Sequence, residues 1–324
     1  MLEIFKNKKI CFFGASLTSH GHFLYYIRQA LKDSVDKCLV YNCGISGLRA
    51  DLVYKELIED QICEKRPDYC IVSFGANDLG IWLYDGLKTE DEEIKRQKEE
   101  RNNNYFKGIT NIVNILKEKG IEPVLMTPCP VNEFLIEEKN IETLADNKEK
   151  GELIGKSFYT RKTFRNINKG FTVYNEFLKD LAIKNGIMFF DNFESLKQKF
   201  FAAENAFSKD GIHITKTGGE IYAEEVLKHL GVINPHFKED KENDAVHEKE
   251  QVIRQMAFVR YNCCNPLLLK KDKVDVFEEI KNILEDKNSP SFMKNNCKVF
   301  LENYKDIDSK NIEYNTLVKN YIYS

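Results

Sequence analysis

Short apolar runs alternate with amphipathic stretches along the first 230 residues of the chain. The apolar runs predict five buried strands, because strands covered on both faces are apolar nearly throughout. These strands are expected at Lys9–Phe13, Leu39–Asn42, Asp68–Phe74, Glu122–Thr127 and Ile187–Asp191. The stretches between and after them predict helices at Phe23–Leu31, Asp51–Lys65, Thr89–Lys119, Phe171–Lys184 and Gly219–Leu230. This alternation predicts an α/β domain over residues 1–233, with a central parallel sheet and helices on both faces.

Two regions depart from the alternation. Cys129–Arg165 is a long polar insertion, which we interpret either as a lid or substrate loop or as a surface excursion without function. Residues 234–324 are expected to form a linker and a small helical extension, with Lys238–Asp244 as a solvated linker. Helical patterns follow at Val252–Tyr261, Val274–Leu284 and Phe292–Tyr304, with a short last helix. Packing or homo-oligomer formation is the expected role of this extension, and catalysis is not.

Composition narrows the class of protein. The chain has 324 residues, of which 42% are hydrophobic and 31% charged, as expected of a globular protein. A formal net charge of -3 and the lack of a long basic run argue against nucleic acid or an anionic membrane surface as the main partner. No apolar run approaches the roughly 20 residues of a membrane helix, so we expect no membrane insertion.

The cysteines and the first residues bear on location. Nine cysteines are present, and Cys11, Cys38 and Cys70 fall inside predicted buried strands. Buried free thiols are typical of a reducing compartment. The opening residues also lack the apolar core of an export signal. We therefore expect a cytoplasmic protein.

Three candidate site residues follow predicted strands. Ser16 comes just after the first strand, Gly47 after the second and Asn77 after the third. In parallel sheets, ligands bind beyond the carboxyl ends of the strands, so these residues are expected to lie together. Taken singly, Ser16 could cap a helix, and Asn77 could belong to a cap or a turn.

A fourth block, Asp210-Gly-Ile-His213, supplies the remaining groups for acyl transfer. Serine is a weak nucleophile that needs a base within hydrogen-bonding reach, and histidine is the usual one. A carboxylate three residues earlier can hold one ring nitrogen of His213 while the other faces Ser16. The four blocks together therefore predict a nucleophile, a base, an orienting carboxylate and oxyanion donors.

The four blocks resemble those of the SGNH/GDSL hydrolase superfamily over about residues 9 to 230. The resemblance implies a flavodoxin-like three-layer α/β/α sandwich. It also implies that Ser16 is the nucleophile, His213 the base and Asp210 its partner. Ser16, Gly47 and Asn77 would then form the oxyanion hole. Gly47 is preferred to Gly44 because the family pattern Asn-x-x-Ile-x-Gly ends on it.

This chain departs from the family pattern in two places. Ala15 stands where the family has aspartate, and the interval between Asn77 and His213 is long. Neither change removes a signature catalytic residue. The α/β-hydrolase fold matches less well, because its Gly-x-Ser-x-Gly motif lies deep in the chain and Thr18 stands where that motif needs glycine.

The resemblance implies a serine esterase or acylhydrolase that cleaves a short acyl, such as acetyl, from a carbohydrate or small metabolite. The alternative is an O-acyltransferase that passes the same acyl group to a sugar hydroxyl. A non-catalytic ligand-binding module would need a missing active-site member, and none is missing. Without a Gly-x-Gly-x-x-Gly motif or a Walker loop, no cofactor is expected.

Residues near the motifs are weaker candidates for substrate binding. His22 is expected to contact substrate, whereas a metal at His20-Gly21-His22 is disfavoured because no carboxylate or cysteine cluster accompanies it. Trp82 and Tyr84 follow the Asn77 block and are candidate walls of the substrate pocket. The alternative for these two residues is packing against the following helix.

Overall fold

A five-stranded parallel sheet forms the centre of the structure, a computed structural model that describes residues 2–33, 37–84, 92–136 and 165–323. The strands are Lys9–Gly14 (β1), Leu39–Asn42 (β2), Tyr69–Ser73 (β3), Glu122–Met126 (β4) and Met188–Phe190 (β5). Their order is β2-β1-β3-β4-β5, and every neighbouring pair is parallel. This strand order, with helices on both faces, confirms the expected flavodoxin-like three-layer sandwich.

Helices cover both faces of the sheet. They are Leu2–Phe5 (α1), Ser16–His20 (α2), His22–Lys32 (α3), Lys55–Gln61 (α4), Ala76–Leu79 (α5), Glu92–Glu118 (α6), Ile167–Asn185 (α7), Phe193–Ala202 (α8) and Lys216–Leu230 (α9). The predicted helix at Thr89–Lys119 corresponds to α6, and the expected start of that helix falls outside the described residues. Most of the insertion interpreted as a lid, residues 137–164, also lies outside them.

Neighbouring residues of each strand enter two different cores. Cys11 and Phe13 of β1 pack into one cluster with α6 and α7, whereas Ile10 and Phe12 pack into another with α3 and α9. This follows from the two-residue period of a strand, which sends successive side chains to opposite faces. Because both faces are covered, the strands are apolar nearly throughout, as the sequence predicts.

The strand order reverses between β1 and β3. The chain leaves β1 toward β2 on one side and leaves β3 toward β4 on the other, which opens a crevice at the carboxyl ends of β1 and β3. Gly14 ends β1 there, and a Cβ at this position would lie 2.3 Å from the carbonyl oxygen of Ser73. The lack of a side chain at Gly14 therefore lets the segment with Ser16 approach the end of β3.

The C-terminal extension begins its first helix inside the predicted linker. The helices are Lys241–Phe258 (α10), Pro266–Leu269 (α11), Val276–Glu285 (α12), Ser291–Asn303 (α13) and Ile307–Tyr323 (α14). Asp240 caps α10 by accepting from the backbone N–H groups of Glu242 and Asn243, and Asn243 is fully buried. The interpretation of Lys238–Asp244 as a solvated linker is therefore wrong from Lys241 onward. The last helix, with 17 residues, is also longer than expected.

A buried ion pair joins the extension to α3. Arg28 Nη2 lies 2.9 Å from Glu250 Oε2, and both side chains have 0% exposure. Burial opposes ionisation of Glu250, but Arg28 and His247 outweigh it and lower the pKa of the carboxyl to about 2. Arg28 Nε also donates to Asn243 Oδ1 at 3.3 Å. The domain boundary at residue 233 stays a prediction, and the extension packs directly on the α/β part.

The described ranges contain no helix that is both long and apolar enough to cross a membrane. All nine cysteines are free thiols, and Cys11, Cys38 and Cys70 are buried as expected.

Candidate active site

Ser16, His213 and Asp210 form one hydrogen-bonded line at the crevice. Ser16 is the first residue of α2, directly after β1, and its Oγ lies 2.8 Å from His213 Nε2. His213 Nδ1 lies 2.6 Å from Asp210 Oδ2 on the other side of the ring. The structure thus brings Ser16 next to Asp210 and His213, which lie almost 200 positions further along the chain.

The loop before α9 holds Asp210 ionised. Its Oδ1 accepts hydrogen bonds from Ser208 Oγ and from the backbone N–H groups of Ile212 and His213, at 2.7 to 2.9 Å. Burial opposes ionisation, but these bonds and the His213 ring outweigh it and hold the Asp210 pKa well below its ordinary value. An ionised Asp210 accepts a hydrogen bond from the Nδ1–H of His213, which keeps the proton on Nδ1 and leaves Nε2 to accept the proton of Ser16.

Gly47 and Asn77 border the same cavity as Ser16. Gly47 has φ +77, and a Cβ there would lie 2.7 Å from Asn262 Nδ2, so a larger residue would be both strained and crowded. Asn77 Nδ2 donates to the Leu48 carbonyl at 3.1 Å, which fixes the amide beside the Gly47 loop. Gly44, by contrast, packs against the backbone of α2 at Ser19. Gly47 therefore borders the cavity and Gly44 does not, while the oxyanion role of Gly47 stays a prediction.

Asp78 stabilises the segment that carries Asn77 through a buried hydrogen bond to the backbone of Ala50. The sequence alone does not reveal this role. The side chain is buried, and its Oδ1 accepts from the Ala50 N–H at 2.7 Å. Burial raises the pKa of this carboxyl to about 7. Arg101 Nη1 donates to the backbone carbonyls of Asn77 and Asp78 at 3.1 and 3.2 Å. These contacts hold the Asn77 amide at the edge of the cavity.

His20 rather than His22 accompanies the catalytic candidates. The His20 ring lies 4.8 Å from that of His213, at 35°, and it borders the Ser16 cavity. His22 instead lies beside His247 and, among the described residues, does not line either cavity that contains Ser16. A substrate contact through His22 stays a prediction, and the structure places this side chain away from the Ser16 cavities. The two histidine rings are separated by a turn at Gly21, whose left-handed conformation ends α2 between them.

The dependence of protein stability on pH tests the environment of the half-buried His20. Burial and the nearby His213 and His22 lower its pKa from 6.5 to about 4, so only the unfolded chain binds this proton between those pH values. His20 therefore contributes stability that is present above pH 6.5 and is lost as the pH falls toward 4. We expect His20→Phe, which keeps an aromatic ring, to flatten the free energy of unfolding against pH in urea titrations over this range.

The matched control is His236→Phe, which changes an exposed histidine outside the site. This variant should keep the wild-type slope of unfolding free energy against pH. A wild-type slope in His20→Phe would contradict the assignment.

Tyr84 belongs to the core rather than to the pocket. Its side chain is buried, its ring lies under Lys98 Nζ at 3.9 Å, and it contacts Gly170 of α7. Among the described residues, it lines neither cavity that contains Ser16. The structure shows the alternative arrangement, in which Tyr84 packs against the following helices, and a role in substrate binding stays a prediction. The side chain of Trp82 lies outside the described residues.

The extension forms one wall of the candidate site, contrary to the expectation that it has no part there. A cavity of about 790 Å³ opens at Ser16, His20, Asn77 and His213. Its other side consists of extension residues that include Gln251, Arg254, Gln255, Phe258, Asn262 and Cys263. No sequence motif identifies these residues as part of the site, because their distance from Ser16 depends on how α10 packs against the α/β part.

The described residues contain no group of three or more His, Cys, Asp or Glu side chains placed to hold a metal ion. The groups brought together here are those of a serine nucleophile with a histidine base. Donors from three chain segments border the point where negative charge would develop.

Comparisons with known proteins agree with this geometry. The model of the GDSL-like Lipase/Acylhydrolase family matches residues 12–221, a range that includes Ser16, Gly47, Asn77, Asp210 and His213. No curated protein sequence matches the chain.

Two solved structures show how far the fold extends. A gut microbial diltiazem-metabolizing enzyme is 15% identical with a TM-score of 0.69, and the match covers 98% of this chain and 95% of that one. A variant of an acetyl xylan esterase from Geobacillus stearothermophilus is 18% identical with a TM-score of 0.50, over 72% of this chain and 98% of that one. At these identities the likeness concerns the fold. The first match is long enough to include the C-terminal extension.

Proposed function

Because the chain belongs to the GDSL-like lipase/acylhydrolase family and is a carboxylic ester hydrolase, we propose that it removes a short acyl group from an alcohol through an acyl-serine intermediate. The observation that carries this proposal is the line Ser16–His213–Asp210, with contacts of 2.8 and 2.6 Å. Each contact has the length and the order that nucleophile activation requires.

The first half of the reaction forms the acyl-enzyme. Ser16 Oγ attacks the ester carbonyl carbon while His213 Nε2 takes the hydroxyl proton. The carbonyl oxygen becomes an oxyanion, which in this proposal accepts hydrogen bonds from the Ser16 and Gly47 N–H groups and the Asn77 amide. All three residues border the cavity, which supports this role. The bond from the carbonyl carbon to the alcohol oxygen then breaks, and His213 returns the proton to the leaving alcohol.

The second half releases the acid. Water attacks the acyl-serine carbonyl and gives a proton to His213, which passes it to Ser16 Oγ as the ester bond breaks. Asp210 stays ionised throughout and stabilises the imidazolium that forms twice, in keeping with its lowered pKa.

A second cavity at Ser16 supports a short acyl group. It has a volume of about 30 Å³, enough for one or two water-sized atoms, and it lies between α2 and the ends of β3 and β4. Phe23, Cys129 and Ile212 are among the residues around it. An acetyl methyl fits such a space, whereas a butyryl chain would have to displace side chains that are packed in the core.

Esters that differ only in the length of the acyl chain test this proposal. We expect kcat/KM for p-nitrophenyl acetate to exceed that for the butyrate by about tenfold or more, because the extra methylenes overfill the small cavity. Cys129→Ala removes a lining sulfur and should reduce this ratio. Cys38→Ala changes a buried thiol elsewhere and should leave it as in the wild type. A butyrate rate equal to the acetate rate would contradict the short-acyl assignment.

Labelling tests the nucleophile independently of substrate choice. A fluorophosphonate should modify the wild-type chain once, and mass spectrometry should place the adduct on the peptide that contains Ser16. Modification at any other serine, or none at all, would count against the proposed mechanism.

A further inference from the structure

The large cavity lies between the α/β part and the extension. Ser16, Gly47, Asn77 and His213 form its floor, and α10 and the helices after it form the opposite wall. Its volume of about 790 Å³ falls in the range of pockets that hold drug-sized molecules, roughly 300–1,000 Å³. The small cavity on the other side of Ser16 can accept the acyl group, so the large one is left for the alcohol part of the ester.

The far wall of this cavity carries a cluster of apolar side chains. Its apolar side chains are Phe258, Leu268, Leu269, Ile283, Phe292 and Met293. Phe292 is 59% exposed and Leu268 is 47% exposed, so both lie where the cavity opens to solvent. The rings of Phe258 and Phe292 lie 6.1 Å apart at 50°. Aromatic side chains at this spacing can hold a flat apolar group between or beside them.

Polar side chains also line this wall, among them Gln255, Asn262 and Asn296. Two others, Gln251 and Arg254, already bond to the protein. Gln251 Nε2 donates to the backbone carbonyls of Ser19 and His20. Arg254 Nη1 donates to the Gly44 carbonyl and to Gln61 Oε1. Sugar hydroxyls placed against the apolar wall would lose their hydrogen bonds to water without replacement, which is unfavourable.

We propose that this cavity selects esters whose alcohol part carries an aromatic or fused-ring group, and that the extension is the specificity-determining element. The inference rests on the proposed function, because it assigns the alcohol side of the same reaction. It places the leaving oxygen near His213, the apolar rings against Phe258 and Phe292, and the acyl group in the small cavity. The sequence predicts an ester of a carbohydrate or a small metabolite, and this proposal narrows the alcohol part to one with an aromatic or fused-ring group.

Three acetate esters of primary alcohols test this selection. They are 2-(2-naphthyl)ethyl acetate, ethyl acetate and 6-O-acetylglucose, whose leaving oxygens are all primary. For the wild type, we expect kcat/KM for the naphthylethyl ester to exceed that for the glucose ester by about tenfold or more, because only the former buries rings against the wall.

Two variants test whether the apolar wall of the cavity causes the preference for the naphthylethyl ester. Phe292→Ala should lower the ratio of kcat/KM for naphthylethyl acetate to that for ethyl acetate by about tenfold, through lost apolar contact. Ile312→Ala is the matched control, because this side chain is 67% exposed on α14 and does not line the cavity. It should keep the wild-type ratio. Both changes lie at exposed positions, so folding should be preserved.

The outcomes separate this inference from the proposed function. If the glucose ester is cleaved as fast as the naphthylethyl ester, or Phe292→Ala has the same ratio as Ile312→Ala, the inference is overturned. The proposed function still stands in that case, provided that ethyl acetate hydrolysis is lost in Ser16→Ala. If Ser16→Ala hydrolyses ethyl acetate like the wild type, or the wild type cleaves none of the esters, both are overturned.

Discussion

Replacing Ser16 with alanine is expected to lower kcat for p-nitrophenyl acetate by about 10⁵-fold or more. The substitution removes the only atom that can form the acyl-enzyme along the Ser16–His213 contact, and it leaves the backbone N–H of residue 16 in place. His213→Ala should cost a similar factor, since the hydroxyl then has no base. The measurement is steady-state hydrolysis with purified full-length protein, corrected for the rate without enzyme.

A double variant tests whether Ser16 and His213 act together or contribute independently to kcat. Ser16→Ala combined with His213→Ala should be about as slow as either single variant, because residues that act on one proton are not additive. Ser309→Ala, at an exposed position on α14, provides the control and should retain wild-type kcat. Retention of activity in Ser16→Ala would exclude the proposed nucleophile.

Replacing Glu250 with alanine is expected to lower the free energy of unfolding by about 3–5 kcal/mol. The change leaves the Arg28 guanidinium at 0% exposure without its carboxylate, and a buried charge without a partner is strongly unfavourable. Urea denaturation followed by circular dichroism would measure the loss. Because Glu250 joins α10 to α3, the same variant should also lose activity at urea concentrations where the wild type is folded.

The control for this prediction lies two residues away. Glu248 is exposed on the same helix, so Glu248→Ala should change the free energy of unfolding by no more than about 0.5 kcal/mol. Equal stabilities for the two variants would mean that the Arg28–Glu250 pair contributes no more than a surface charge. Replacing both Arg28 and Glu250 with apolar residues should recover part of the loss, since no unpaired charge then remains.

The sheet and the catalytic candidates were accessible to sequence reasoning because both are encoded locally. Each strand is a short apolar run, and its burial depends little on what lies far along the chain. Ser16 and Asn77 could be placed together because the carboxyl ends of parallel strands meet at one edge. The Asp210–His213 spacing fits a single loop, and that loop forms the contacts expected of it.

The residues that sequence reasoning missed depend on orientation. His20 and His22 are two positions apart, but the turn at Gly21 sends only His20 to the cavity. A run of charged residues at Lys238–Asp244 was interpreted as solvated, although Asp240 is a helix cap and Asn243 faces the core. Charge density along the chain does not reveal that one face of a helix is buried.

The extension could not be assigned for a different reason. Its contacts with the site, such as Gln251 with the carbonyl of Ser19, join residues more than 200 positions apart. Nothing in the local pattern of α10 indicates which surface it covers. The cytoplasmic location and a homo-oligomer formed through the extension stay predictions.

The cavity between the α/β part and the extension also has a consequence for the order in which the site is completed during translation. A nascent chain that has reached residue 233 already contains Ser16, Gly47, Asn77, Asp210 and His213, but not the wall opposite them. Until residue 250 has been added, Arg28 has no carboxylate to pair with. During translation the reactive groups are therefore synthesised first and the selective wall last, so a prematurely terminated chain would carry the groups for ester cleavage without the surface that chooses the ester.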